Sequence, residues 1–389
     1  MARNRVFIRG CGIVSAIGTT QQEIALTCHN GIATPGSTTL PHSCERPLPY
    51  YALPGETDKP SRPDLYKQIN AAVDSAIHDA GLTVDEISHL PVFVGSTAGD
   101  ISDLESHYQH ELHHANIDAS PLYRCGFGVL AEYIIDRLQS GGQQFTFNTA
   151  CSSGANALLM ATRMVAAGRM DNALVVGVET RNQMSLQGFN TMLLLAAQHC
   201  QPFDKNRSGT VLGEGIGAIV ISRHKPLSSD FSAARPYYCL GGANLTDSVN
   251  ITSSDSSKIA AVIAQALTET GLHPADIKVI KAHGTSTPAN DSAEAQGMRR
   301  LFGDELPPFT SLKPYVGHTL GACGVVETII MLACIKEHFV PATPGFTTLD
   351  ETCGCTPLTQ RLPFDGGKIM LNHFGFGGNN TSLVIANEP

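Results

Sequence analysis

The chain has 389 residues, of which 42% are hydrophobic and 37 are glycine, so it can build one large domain or two medium ones around sizeable cores. Its formal net charge is −9, which argues against a general nucleic-acid binder or a protein that binds anionic membranes. Charged residues make up only 16% of the chain, which suggests that another subunit covers part of the surface.

Three further features predict a cytoplasmic protein without disulfides. The eleven cysteines are odd in number and lack the spacing of a disulfide framework. The first residues, Met-Ala-Arg-Asn-Arg-Val, lead directly into a predicted strand, without the apolar region of a secretion signal. No apolar stretch approaches the roughly 20 residues that a membrane-spanning helix needs.

In chain order, residues 5–9 predict a strand and residues 10–18 a glycine-rich loop. This loop matches neither a phosphate loop nor the dinucleotide fingerprint. Residues 34–63 contain seven prolines and little periodicity, which predicts an irregular excursion on the surface. The following segments alternate between helix and strand, which indicates an α/β fold. They are a helix at 64–80, a strand at 91–96, a helix at 126–140, a strand at 145–149, a helix after Gly154 and a strand at 172–179.

A weak internal repeat divides the chain near residue 235. Residues 5–10 and 216–222 resemble residues 236–242 and 382–386, as short strands that begin and end each half. The helix after Cys151 has a counterpart that begins near His318, so each half carries a reactive residue where a strand passes into a helix. Two such halves, residues 1–235 and 236–389, would bring Cys151 and His318 to a shared centre.

Cys151 is the first candidate for chemistry, because it lies where a predicted strand passes into a helix. Free N–H groups and the positive dipole at a helix start favour a thiolate and can hold an oxyanion formed when the sulfur attacks a carbonyl. Taken alone, Cys151 could also be a small buried residue in a turn, since free cysteine is among the most buried residue types. Two histidine motifs further along favour the nucleophile.

The first motif, Lys-Ala-His-Gly-Thr-Ser-Thr-Pro, is a strand that runs into a polar turn at His283. A lone histidine there could simply cap the strand, but the neighbouring hydroxyls of Thr285 and Thr287 favour a loop that faces a ligand. The second motif, Lys-Pro-Tyr-Val-Gly-His, supplies Lys313 and His318.

A glycine-rich turn near the C-terminus, Asn-His-Phe-Gly-Phe-Gly-Gly-Asn-Asn, carries the aromatic residues Phe374 and Phe376. It could place backbone N–H groups near a site, or it could only join two edge strands. Together the four motifs resemble the β-ketoacyl-acyl-carrier-protein synthases, the condensing enzymes of the thiolase superfamily. The resemblance covers nearly the whole chain and implies a five-layered αβαβα fold of two similar halves.

The resemblance also implies the chemistry. Cys151 would take an acyl group from a carrier-protein thioester, and His283 and His318 would hold the carbonyl of a malonyl thioester while it loses carbon dioxide. The resulting enolate would attack the acyl group on Cys151. Lys313 would orient the histidine pair, and Glu327 would pair with Lys313.

For substrate binding, the resemblance assigns Thr285 and Thr287 to the pantetheine arm and Phe374 and Phe376 to the pocket. The N–H groups of Cys151 and Phe376 would form the acyl oxyanion hole, and the Phe376 ring would be the gate between the two half-reactions. It implies no cofactor, because phosphopantetheine on acyl carrier protein carries the substrates, and no metal. His113, His114, Cys353 and Cys355 lack partners at zinc-site spacing and are interpreted as incidental.

The sequence departs from the family pattern at Ser208, Thr210 and Asn379, which stand where an acidic residue, an aromatic residue and a threonine are usual. These changes leave the chemistry intact but favour a dedicated polyketide or aryl-polyene-like pathway as much as ordinary fatty-acid elongation. A thiolase would need a second cysteine in the C-terminal glycine-rich turn, which has none. A partner subunit that sets chain length without chemistry usually loses the nucleophile, which this chain keeps.

The expected partners are acyl carrier protein and a second subunit, identical or a related ketosynthase-like chain. Carrier proteins are acidic, so docking on this acidic chain requires a local basic patch. The candidates lie on two segments, and the alternative is an ordinary solvated surface. They are Lys59, Arg62, Lys67, Lys205 and Arg207.

Overall fold

The computed structural model describes residues 5–31, 33–40, 44–55, 62–112, 126–225, 236–247, 252 and 255–388. In these ranges no helix has the length and apolar character needed to cross a membrane. The strands are β1 Val6–Ser15, β2 Gly36–Leu40, β3 Cys44–Tyr51, β4 Val92–Gly95, β5 Gln144–Phe147, β6 Asn172–Glu179, β7 Leu212–Gly213, β8 Gly215–Ser222, β9 Tyr237–Thr246, β10 Ile277–Lys281, β11 Phe309–Thr310, β12 Phe339–Val340, β13 Leu362–Pro363, β14 Gly367–Phe374 and β15 Asn379–Asn387. The helices are α1 Gln21–Asn30, α2 Arg62–Ala80, α3 Val84–Ser88, α4 Ile101–Leu112, α5 Val129–Leu138, α6 Ser153–Ala166, α7 Gln183–Thr191, α8 Ser256–Thr270, α9 Pro288–Phe302, α10 Lys313–Val316 and α11 Cys323–Lys336.

Ten strands form one sheet in the order β11-β10-β14-β15-β9-β1-β8-β6-β4-β5. Outward from β1, the pairs β1–β8 and β8–β6 are antiparallel, and β6–β4 and β4–β5 are parallel. Outward from β9, the pairs β9–β15 and β15–β14 are antiparallel, and β14–β10 and β10–β11 are parallel. The chain is therefore two similar halves joined at β1 and β9. The boundary at residue 235 falls between described ranges and stays a prediction.

Helices complete five layers around the two halves of the sheet. Helices α6 and α11 pack against each other at the centre, with α11 against β8 and β6 and α6 against β9 and β15 as well as β4 and β6. Helix α2 covers β1 and β8 on the outside, and α8 covers β9 and β15. Alternate residues of β8 serve the two cores, because Ile219 faces the core with α11 and Val220 the core with α2.

The glycine-rich segment after residue 9 is not the predicted loop, because β1 continues through it to Ser15. Helix α2 lies directly on these glycines: a Cβ on Gly12 would sit 2.0 Å from the oxygen of Ala72, and one on Gly10 2.3 Å from the nitrogen of Ala80. The glycines therefore allow a helix to pack closely on a strand rather than letting the chain turn.

Residues 34–63 were expected to be irregular, and this expectation is wrong for part of the segment. Strands β2 and β3 pair there as an antiparallel hairpin, and β3 continues in parallel with β7. This small sheet lies outside the main one. Pro47 and Pro49 lie in β3 before Tyr50 and Tyr51, the two residues that pair with β7, so the ladder with β7 needs no N–H group from either proline.

The contact between α6 and α11 gives a test of this packing. A Cβ on Gly324 would lie 2.0 Å from the nitrogen of Ala155, so Gly324→Ala should push the two central helices apart. Overpacking of this kind lowers the free energy of unfolding by about 1–3 kcal/mol. This loss exceeds the stability gained from the higher helix propensity of alanine. Gly188→Ala is the matched control, because the glycine lies in α7 with nothing within 4 Å of an added Cβ. Thermal unfolding should show a lower Tm for Gly324→Ala only; equal Tm values would contradict the packing account.

Candidate active site

Cys151 is held in a sharp turn between β5 and α6. Ala150, the residue before it, adopts φ +51°, a left-handed conformation that few non-glycine residues adopt. Ser153 closes the turn, because its hydroxyl accepts from the N–H of Thr149 at 2.9 Å and donates to the carbonyl of Ala150 at 2.6 Å. The turn presents the Cys151 sulfur to a pocket that residues of both halves line.

His318 lies against this sulfur, with Nε2 3.1 Å from Sγ of Cys151. Burial raises the pKa of the Cys151 thiol to about 11, and the charge of Lys313 and the N–H group of Phe376 oppose the rise only in part. The expectation that the helix start favours a thiolate is therefore wrong for the resting site. Desolvation disfavours the charged form, so the buried thiol keeps its proton.

His283 lies two residues beyond the end of β10, in a turn that a carboxylate fixes. The two oxygens of Glu294 accept the N–H groups of His283 and Gly284, each at 2.8 Å. The His283 and His318 rings meet edge to face with centroids 5.3 Å apart. The structure thus brings Cys151, His283 and His318 together, as the sequence predicts.

The two histidines are neutral imidazoles. Burial lowers the pKa of both His283 and His318 well below the usual value, and the charge of Lys313 lowers it further. Protonation would also put an N–H group on Nδ1 of His318, which has no hydrogen-bond partner among the described residues. Each ring can therefore donate one hydrogen bond into the pocket without carrying a charge.

Lys313 and Glu327 lie behind His283. The Lys313 ammonium donates to the carbonyl of His283 at 2.6 Å and to Oε1 of Glu327 at 2.8 Å, and it lies 3.4 Å from Nδ1 of His283. An ammonium has no acceptor, so Nδ1 of His283 must accept, and the ring proton is on Nε2. The predicted contact between Lys313 and Glu327 is present, wholly buried.

Three residues of the buried centre were not predicted: Lys281, His373 and Cys323. Lys281 binds the second oxygen of Glu327 at 2.5 Å and lies 3.4 Å from Nδ1 of His373. Cys323 lies 3.7 Å from the same nitrogen. One signal could have found Lys281, because residues two apart in a strand face the same side, and Lys281 precedes His283 by two.

Cys323 also corrects the comparison between the two halves. The predicted counterpart of the Cys151 helix was a helix beginning near His318, but α11 begins at Cys323, after a short 3₁₀ turn at Leu320–Ala322. His318 therefore lies in the loop before the helix. Its N–H group donates to the carbonyl of Val211 at 2.7 Å, which fixes that loop beside the first half.

The predicted substrate-binding residues line one pocket in front of Cys151. The hydroxyls of Thr285 and Thr287 are 2.9 Å apart on one wall. On the other side, the Phe376 ring stacks on Phe189 with centroids 5.6 Å apart, and Phe374 contacts the His283 ring. The pocket lining is Cys151, Phe189, Thr210, Thr252, His283, Thr285, Thr287, Asn290, His318, Phe374, Gly375 and Phe376.

Sequence profiles of known families identify the chain. The profile of the β-ketoacyl synthase N-terminal domain matches residues 66–226, and that of the C-terminal domain matches residues 240–347. The chain belongs to the β-ketoacyl synthase family. These synthases are acyltransferases, so the family assigns an enzymatic class to the Cys-His-His pocket.

Individual β-ketoacyl synthases resemble the chain over its full length. The 3-oxoacyl-[acyl-carrier-protein] synthase 2 of Vibrio cholerae is 28% identical over 99% of both chains. Among solved structures, a β-ketoacyl synthase from Burkholderia phymatum covers 99% of this chain and 100% of its own, with 27% identity and a TM-score of 0.86. The ishigamide ketosynthase/chain length factor covers 100% of both chains, with 26% identity and a TM-score of 0.88. These likenesses confirm the predicted fold.

The basic residues predicted to dock a carrier protein are not equally placed. Lys67 on α2 and Lys205 in the loop before Arg207 are exposed. Lys59 and the side chain of Arg62 lie outside the described residues. Lys67 and Lys205 belong to different parts of the fold, because α2 covers β1 and β8 whereas the N–H of Lys205 donates to the carbonyl of Thr348.

Arg207 is buried, so its assignment to docking is wrong. Its guanidinium pairs with Asp350 and donates to the carbonyl of Asp204 and the hydroxyl of Ser292, each at 2.8 Å, and to the carbonyl of Pro288 at 3.1 Å. Arg207 therefore joins the loop before β7 to the start of α9 beneath the pocket. It stabilises the fold and presents no charge to a partner.

Metal-ligand atoms come close together at two places in the described part of the chain. Cys151, His283 and His318 form one group, and His283, Cys323 and His373 the other, with the ligand atoms in each within 4.8 Å of one another. Cys353 and Cys355 belong to neither group, and His113 and His114 lie outside the described residues. Both groups lie beside buried lysines, whose positive charge opposes a metal cation.

The raised thiol pKa predicts how Cys151 reacts. Iodoacetamide attacks the thiolate, so the labelling rate of Cys151 should rise about tenfold per pH unit between about pH 7 and pH 10 without reaching a plateau. Peptide mapping by mass spectrometry after timed labelling measures this rate. Lys313→Met removes a nearby positive charge and should slow labelling at each pH. A plateau near neutral pH would show that Cys151 rests as a thiolate.

Proposed function

We propose that this chain is a β-ketoacyl-[acyl-carrier-protein] synthase, which condenses malonyl-carrier protein with an acyl group held on Cys151 and releases carbon dioxide. The observation that carries the proposal is the contact of 3.1 Å between Sγ of Cys151 and Nε2 of a buried, neutral His318, with a second neutral histidine facing the same pocket. One nucleophile and two uncharged donors are what acyl transfer followed by decarboxylation requires.

In the first half-reaction, the sulfur of Cys151 attacks the thioester carbonyl of an acyl carrier. The S–C bond to Cys151 forms, the bond to the pantetheine sulfur breaks, and the thiol proton goes to the leaving pantetheine thiolate. The N–H groups of Cys151 and Phe376 both face the reacting sulfur and would hold the oxyanion. No net proton is consumed in this step.

In the second half-reaction, His283 and His318 donate to the carbonyl oxygen of the malonyl thioester. The bond to the malonyl carboxylate breaks, carbon dioxide leaves, and the electron pair forms an enolate that the two imidazoles stabilise. The enolate carbon attacks the acyl carbonyl, and Cys151 leaves as a thiolate that takes up one proton. Neutral donors suit this step. Their hydrogen bonds to the carbonyl oxygen strengthen as negative charge develops there, whereas a charged imidazolium would first bind the malonyl carboxylate.

The remaining pocket residues position the substrates in this proposal. Thr285 and Thr287 offer hydroxyls to the pantetheine arm, and the stack of Phe376 on Phe189 closes the acyl side until an acyl group arrives. Thr210, one of the departures from the family pattern, is part of the pocket lining. Because a threonine stands there in place of the usual aromatic residue, we infer that a polyketide or polyene intermediate suits this wall as well as a fatty acyl group does.

The partners follow from the same proposal. Acyl carrier protein would deliver both substrates, and a second ketosynthase-like subunit, identical or related, would complete a dimer, as in the ketosynthase/chain length factor pair that the chain resembles. No bound cofactor takes part, since phosphopantetheine arrives with the carrier.

Alanine variants should separate the two half-reactions. Cys151→Ala should abolish self-acylation, because the pocket lining then has no thiol, whereas His283→Ala should retain self-acylation and lose carbon dioxide release by roughly 10²–10³-fold. Intact-protein mass measures acylation, and isotope-labelled malonyl-carrier protein measures carbon dioxide. The exposed His224, changed to alanine, is the control. If His283→Ala decarboxylates normally, the proposed mechanism fails; if the wild type neither acylates nor decarboxylates, a partner without chemistry is favoured.

Docking can be tested with the two exposed lysines. Lys67→Glu or Lys205→Glu should raise KM for carrier-bound substrate, and the wild-type affinity should fall as salt increases. Activity on a small acyl-pantetheine thioester should stay unchanged, because it has no protein surface to dock. Arg207→Gln is the contrast: it breaks a buried network and should lower Tm and activity on both substrates. Unchanged KM in both lysine variants would rule out docking at these positions.

A further inference from the structure

A second lysine–histidine pair lies behind the first. The carboxylate of Glu327 binds Lys313 through one oxygen, at 2.8 Å, and Lys281 through the other, at 2.5 Å. Each lysine lies 3.4 Å from Nδ1 of a buried histidine, Lys313 from His283 and Lys281 from His373. Lys281 also donates to the carbonyl of Asn372 at 2.7 Å. The proposed mechanism uses the first pair and leaves the second without a role.

The second lysine changes the charge of the centre. Two ammonium groups and one carboxylate leave one positive charge, and none of the three side chains is more than 1% exposed. Glu294 and Glu179 are also close by, and burial raises the pKa of each to about 7, so both carry little charge in mild acid. The titratable groups that face the His283–His318 pair are Cys151, Lys281, Glu294, Lys313, Cys323, Glu327 and His373.

We propose that Lys281 is a positioning residue whose buried charge keeps His283 and His318 in the neutral, donating form in mild acid, so that decarboxylation continues at a pH at which an ordinary histidine pair would protonate. The inference rests on the proposed function of this pair. Lys281 acts through Glu327 and through space and does not touch substrate. His373 accepts from Lys281 at Nδ1 and so remains neutral itself.

The physical reason is repulsion between like charges in a dry interior. Burial lowers the pKa of both His283 and His318, and the charges of Lys313 and Lys281 lower it further. A buried unit charge at this range shifts a histidine pKa by on the order of one pH unit. The sign is fixed: without Lys281, the histidines gain protons at a higher pH, and the acid limb of activity moves up.

The pH dependence of carbon dioxide release from malonyl-carrier protein tests this in the full-length protein. Lys281→Gln keeps a hydrogen-bond donor to Glu327 and removes the charge, and Lys281→Met removes both. We expect the acid limb to move up by about one pH unit in both variants, with KM for malonyl carrier nearly unchanged. Lys368→Gln is the matched control, since Lys368 pairs with Glu388 at the far end of β14.

Two results would overturn the proposal. The first is an acid limb that stays in place in Lys281→Gln, which would mean that hydrogen bonding rather than charge matters. The second comes from NMR of isotope-labelled histidine in the wild type: protonation of the pair near the ordinary histidine pKa of about 6.5. The NMR measurement uses the wild type and needs no turnover, so it can still contradict the proposal if Lys281→Met fails to fold. A wild type that releases no carbon dioxide would contradict the proposed function alone.

Discussion

The buried carboxylate of Glu327 is the interaction on which the rest of the site depends. It lies on α11, every residue of which from Cys323 to Ile335 is buried, and it holds two ammonium groups that would otherwise stand uncompensated in the core. Removal of one partner from a buried pair typically costs about 3–5 kcal/mol. Through Lys313 the carboxylate fixes the tautomer of His283, and through Lys281 it joins the ends of β10 and β14. The charges of Lys313 and Lys281, which Glu327 holds in place, help to keep His283 and His318 neutral.

The two halves of the fold explain how distant segments meet at this point. The first half contributes Cys151, and the second contributes His283, His318 and both lysines. A polar contact holds the halves in register: Oδ1 of Asn379 accepts from the side chains of Ser152, Asn156 and Asn244 at 2.6–2.8 Å. This contact joins the turn that carries Phe376 to the turn that carries Cys151. It therefore fixes the distance between the two N–H groups proposed to hold the oxyanion. Asn379 is one of the departures from the family pattern, and here the departure has a structural use.

The sequence motifs predicted Cys151, His283, His318 and Lys313 as site residues, and the resemblance of these motifs to the β-ketoacyl synthases implied the layered fold. The sequence could not predict the protonation state of Cys151, because a local helix start says nothing about how much of the protein covers it. Lys281 was missed because a strand lysine is usually exposed, and Glu327 lies 46 residues away. Arg207 was misassigned for the same reason, since Asp350 neutralises it from a distant loop. The burial of a side chain and its pairing with a distant residue are set by the fold, so local sequence patterns do not predict them.

The central claim is that Cys151 holds the acyl group while the histidines act on a second substrate, and a pulse–chase experiment on the wild type tests it most directly. The protein is first mixed with acyl-carrier protein, peptides are mapped by mass spectrometry, and malonyl-carrier protein is then added. The account predicts an acyl group on Cys151 alone, which the chase removes as a carrier-bound β-ketoacyl product two carbon atoms longer. An acyl group on another residue, or one that stays on Cys151 after the chase, would contradict the account.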